Sequence, residues 1–152
     1  MKAIRISFFV TVLAVTALLT NGCSKYNTDG GVGGCEISAK IGATSLCGTG
    51  YFTQSSSSAE IGIAASDKDN NSVIIISLPD GTIGSHALGG DGAGLSYTDG
   101  KGVIVATTGT VKVTKLSATL IKGTFSGTAQ SIGDSTLITI SDGSFSLKKL
   151  GL

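Results

Sequence analysis

Ile121-Lys122-Gly123-Thr124-Phe125-Ser126-Gly127-Thr128-Ala129 alternates strictly, and the fold turns on how this stretch is read. Ile121, Gly123, Phe125, Gly127 and Ala129 fall on one side, with lysine, serine and threonine on the other. A period of two belongs to a half-buried β-strand, because successive Cβ atoms point to opposite faces of the pleat. Upstream, Gly109 breaks the apolar segment Gly102–Thr107, and Thr110–Leu116 then alternates with Val111 and Val113 inward. Downstream, Thr136–Ser141 and Ser144–Leu147 flank Asp142-Gly143, the strongest two-residue hairpin signal in the chain. A terminal strand meander follows, with Phe125 and Phe145 on its apolar faces.

The first half carries the same period. Ile37, Ala39 and Ile41 share a face, Gly42-Ala43-Thr44 turns, and Leu46–Thr53 is a less regular strand. Ala59–Ala65 puts Ile61 and Ile63 inward, and Asp67-Lys68-Asp69-Asn70-Asn71 is a hairpin turn into Val73-Ile74-Ile75-Ile76. That last run is apolar on both faces, which predicts a central strand. Gly84–Asp99 is the least regular part, with Leu95–Thr98 pairing briefly before an Asp99-Gly100 turn. Gly, Ser, Thr, Val and Ile dominate, with one proline and no tryptophan. The expectation is an all-β domain over residues 35–148. It would be an antiparallel β-sandwich or flattened barrel of eight or nine short strands.

The start of the chain has a different character. Lys2 and Arg5 precede an uncharged apolar run, Ile6–Leu19, and then Thr20-Asn21-Gly22-Cys23. This is the charged, apolar and small-residue layout of a secretory signal, too short for a spanning helix. It resembles a bacterial lipoprotein signal, which implies a signal peptide over 1–22 and a lipid on Cys23. A plain secretory signal with an incidental cysteine is the alternative. Residues 23–34, polar and glycine-rich after the cysteine, read as a tether. With Cys23 assigned to lipid, Cys35 and Cys47 remain in an oxidising compartment, where pairing is expected; two buried free thiols are the alternative.

Charge narrows the function. Removing Lys2 and Arg5 takes two of the eleven basic residues and leaves the ten acidic ones in slight excess. Arg5 is the only arginine, so nucleic-acid readout is not expected. No run of basic residues marks a site for anionic headgroups, and membrane attachment falls to the N-terminal lipid.

Three stretches carry a resemblance: Gly109-Thr110-Val111-Lys112-Val113-Thr114-Lys115-Leu116, Ile121–Ala129, and Ile138-Thr139-Ile140-Ser141-Asp142-Gly143-Ser144-Phe145. Their succession resembles the terminal meander of a family of small Bacteroidetes outer-membrane lipoproteins of uncharacterised activity. Ala39-Lys40-Ile41-Gly42 and Ser96-Tyr97 also fit its pattern, over about residues 37–147. Where that family often carries a tryptophan after its first glycine turn, this chain has Leu46-Cys47. The resemblance implies an envelope location and a β fold, and transfers no catalytic residue.

Candidate chemistry is sparse. Asp67–Asn71 places oxygen ligands at alternating positions, but Ser72 and Leu78 stand where an EF-hand needs glycine and glutamate. Gly89-Gly90-Asp91-Gly92-Ala93-Gly94 lacks the lysine and helix of a phosphate loop. His86 is the sole histidine and has no nucleophile elbow to serve. Asp91, Asp99 and Asp134 sit in turn-like contexts, and Asp134-Ser135-Thr136 resembles a Bacteroidetes O-glycosylation acceptor. No catalytic residue, metal site or cofactor is assigned. The reading is a lipid-anchored, non-enzymatic envelope protein of the outer membrane, structural or binding, its membrane face left open. The alternative is an adhesin-like module for glycan or protein.

Overall fold

The computed structural model describes residues 34–151. The expected signal over 1–22, Cys23 with its expected lipid, and the expected tether up to residue 33 lie outside the described residues. Nine strands follow in order: β1 (Ile37–Ile41), β2 (Thr44–Gln54), β3 (Ile61–Asp67), β4 (Val73–Leu78), β5 (Gly84–Ala87), β6 (Gly94–Asp99), β7 (Gly102–Leu116), β8 (Leu120–Ser131) and β9 (Leu137–Lys149). Eight close into an antiparallel barrel in the order β7-β6-β4-β3-β2-β1-β9-β8, with β8 returning to β7. The ninth, β5, pairs with the far end of β7, beyond the stretch that β6 covers.

Alternation decides what fills the barrel. Ile37 and Ile41 of β1, Phe52 of β2, Ile61 and Ile63 of β3, and Ile74 and Ile76 of β4 all point inward and are buried. Leu95, Tyr97, Val111, Ile121, Phe125, Ile140, Phe145 and Leu147 complete the core from the other side. Serine, threonine and lysine take most outward positions of β8, β9 and β1. On these three strands the pattern is the reverse of a membrane-spanning barrel's, whose apolar band faces lipid and whose lumen is polar.

Three local expectations are corrected. Asp142-Gly143 is not a hairpin turn: β9 runs unbroken through it for 13 residues. Both neighbours of β9 step two residues where β9 steps three, so Asp142, at φ 53°, is the extra residue of a β-bulge. Gly109 likewise does not end a strand; β7 continues through it for 15 residues. Its ladder to β8 shifts register between Ala106 and Thr108 and again between Val113 and Lys115. Such bulges bend long strands enough to close a barrel. Finally, the irregular stretch hides β5, which pairs Ser85 with Lys112 and His86 with Val111.

β1 is only five residues long. Both its neighbours run antiparallel to it and are therefore parallel to each other. Where β1 has not yet begun, β2 and β9 close the gap with a short parallel ladder, Tyr51 to Lys148 and Phe52 to Lys149. Glu36 stands at the point of divergence. Its N–H donates to the Gly48 carbonyl (2.9 Å), and its carbonyl accepts from the Ser146 N–H (2.7 Å). Its carboxylate accepts from the Gly50 N–H (3.1 Å). A stretch of backbone left without a full partner strand is thus satisfied by one residue.

Candidate functional site

Cys35 and Cys47 are bonded, with Cα atoms 5.2 Å apart. Cys47 points outward on β2, and Cys35 lies just before β1, so the bridge pins the start of the domain to the barrel wall. The Cα separation is ordinary for a disulfide.

The polar residues singled out in the sequence do not converge. Asp67 accepts the Asn71 N–H at 2.7 Å, and Ser66 donates to the Asn70 side chain at 2.8 Å. The carboxylate that calcium would need is thus holding the turn between β3 and β4. Asp99 takes the N–H groups of Lys101 (2.8 Å) and Gly102 (3.2 Å). Asp134 takes that of Thr136 (3.0 Å). This backbone bond, with side-chain bonds from Ser131 and Thr136, holds the Asp134 carboxyl below its ordinary range. Ser135 is exposed beside it at φ 61°. In the glycine-rich loop, Leu88 donates to Gly109 (2.9 Å), Ala93 to Ala87 (2.8 Å) and Gly89 to Ala93 (3.1 Å). These amides tie the end of β5 to β7 and to the residue before β6 instead of facing a phosphate.

His86 lies on the same face of the sheet as inward-pointing Val111, and its side chain is only 8% exposed. Nδ1 stands 3.4 Å from the Asp80 carboxylate, and Nε2 is 3.1 Å from the Thr82 carbonyl. Both ring nitrogens thus face groups of the β4–β5 connection. Among the aromatics, Phe52, Tyr97, Phe125 and Phe145 are buried. Tyr51 faces outward and is half-buried; that burial raises its phenol pKa.

Two outer features arise only from pairing. Where β7 begins and β8 ends, Val103 (37% exposed), Val105 (39%), Ile132 (68%) and Leu137 (67%) form an apolar patch. Val105 pairs with Gln130, which pairs with Leu137, and the Ile132 N–H donates to the Val103 carbonyl at 3.0 Å. At the opposite end of the same strands, Lys112 and Lys115 of β7, Lys122 of β8, and Lys148 and Lys149 of β9 gather. The sequence shows no basic run because three strands each supply only one or two of these residues. A shallow depression of about 170 Å³ lies over Gly123 beside one of them, Lys122, and is also bordered by Cys35, Glu36, Thr114 and Ser146.

No family model, curated protein or solved structure matches the chain.

Proposed function

We propose that the chain is a lipid-anchored protein of the cell envelope, held at the outer membrane through Cys23. Its barrel is a non-catalytic structural or binding module. The observation that supports a module acting through its surface is the interior: every ring strand sends apolar side chains inward, where they form one buried cluster. Barrels that carry small ligands keep that space open instead. The anchor itself rests on the cationic start, the uncharged run and Gly22-Cys23. Metabolic labelling with a fatty-acid analogue tests it. Wild type should be marked and Cys23→Ala should not; equal labelling of the two would remove the anchor from the reading.

The adhesin-like alternative is favoured in its protein-binding form by the patch of Val103, Val105, Ile132 and Leu137. Glycan platforms rely on exposed aromatic rings, and four of this barrel's rings are spent on its core.

A further inference from the structure

We propose that the lysine-bearing end of the β7–β8–β9 face is a docking surface for anionic phospholipid headgroups. This inference rests on lipid attachment at Cys23. Lys115 and Lys122 are directly opposed partners in the β7–β8 ladder. Lys112 faces Thr124, two residues beyond Lys122, and Lys148 lies two residues beyond Ser146, the β9 partner of Lys122. Like charges placed opposite each other on a sheet repel. Among the described residues, none of these lysines has an ion-pair partner; the two pairs found are Lys40–Asp142 and His86–Asp80. β7 and β8 carry no acidic residue, and the one on β9, Asp142, is paired with Lys40 at 2.9 Å. Glu36 borders the cluster, with its carboxylate engaged by the Gly50 N–H.

The route of the chain selects the occupant. Cys35, pinned by its bridge to Cys47, borders the same depression as Lys122. From Gly34 back to Cys23 is about eleven residues, which can span at most roughly 36–40 Å. The chain therefore enters the domain at the lysine end of β7, β8 and β9, and a lipid on Cys23 tethers the barrel from that side. Lysine suits that role: an ammonium is a point charge that accepts phosphates in many orientations, where arginine would demand a bidentate fit. Several lysines near an anionic leaflet add their attraction, and salt screens it over about a Debye length.

The test uses protein extracted from the envelope and reconstituted into vesicles of phosphatidylcholine, alone or mixed with phosphatidylglycerol. A water-soluble amine acylating reagent is applied, and each lysine is compared with itself between the two vesicles. In the anionic vesicles, acylation of Lys112, Lys115, Lys122 and Lys148 should fall by about fivefold, and about 1 M NaCl should restore it. Lys40, Lys68 and Lys101, set in or beside other strands, should change little. Substituting Lys115→Gln and Lys122→Gln together should deprotect Lys112 and Lys148, while Lys40→Gln with Lys101→Gln should not. Equal acylation in both vesicles overturns the proposal, as does protection that follows an added acidic polysaccharide and not the phospholipid. The same mass spectra report acylation of Cys23. Protected lysines with an unmodified Cys23 would sink the anchor alone, and a lipidated Cys23 with unprotected lysines would sink this surface alone.

Discussion

Phe125 lies across the β8–β9 ladder from Gly143, and Phe145 lies across it from Gly123. A Cβ at Gly143 would run into the Phe125 ring and carbonyl, and one at Gly123 would run into the Phe145 ring. Each ring thus covers the bare backbone of the opposite glycine, and the two rings stack with centroids 6.4 Å apart. Truncating either buried ring should cost about 3–5 kcal/mol. Thr124→Ala and Thr139→Ala, on the exposed face, should stay within about 0.5 kcal/mol. Gly143→Ala should fall between, at roughly 1–3 kcal/mol from overpacking. Urea midpoints of the five variants check the order, and threonine changes as damaging as the phenylalanine ones would mean the faces are wrongly assigned. Which face each phenylalanine takes is legible in the sequence, because the period of two is local. That each sits over a glycine is not, because it depends on register between strands.

At the scale of the element, short β1 is the weak place, and two devices offset it. Glu36→Ala leaves the partly buried Gly50 N–H without its acceptor, which should cost about 1–3 kcal/mol. Glu36→Gln keeps an oxygen acceptor and should lose less. Hydrogen exchange at Gly50 reads the difference directly: unchanged exchange in Glu36→Ala would mean the carboxylate does nothing for that amide. The second device is the bridge. Closing a loop of 12 residues should contribute about 3 kcal/mol, so Cys47→Ser should lower the denaturation midpoint accordingly. Peptide mapping without reductant should recover Cys35 and Cys47 joined. Pairing of these two was legible from the cysteine count and the oxidising compartment expected from the N-terminal stretch. Asp142-Gly143 shows where local reading stops. The same dipeptide serves a hairpin or a bulge, and the choice is made by β1 and β8, which hold β9 on both sides of it.

For the whole molecule, the composition and turn spacing were enough to read an all-β chain of eight or nine strands. The flattened barrel was one of the two forms expected; the choice between it and a sandwich was not legible, because the ring is completed by β1 meeting β9 and by β7 meeting β8 across bulges. The lysine end and the apolar end were hidden for the same reason. The topology also sets an order of local stability. β8 is paired along both edges, whereas β5 has a single partner and is one of the shortest elements. Amides of Ser85–Ala87 should therefore exchange with solvent well before those of Gly123–Phe125 in native-state hydrogen exchange. If β5 proved as slow as β8, its free edge would have to be covered in solution.

The disulfide also determines how the barrel bears force. All of β1 and its turn into β2 lie within the covalent loop from Cys35 to Cys47. A pull arriving through the N-terminus cannot unzip β1 from β9 one hydrogen bond at a time. It passes through the sulfur atoms into β2, an 11-residue strand laddered to β3 from Gly48 to Gln54. With the bridge reduced, the same pull would reach β1 first, peel five residues, and release the 12-residue separation between the cysteines, about 40 Å of slack.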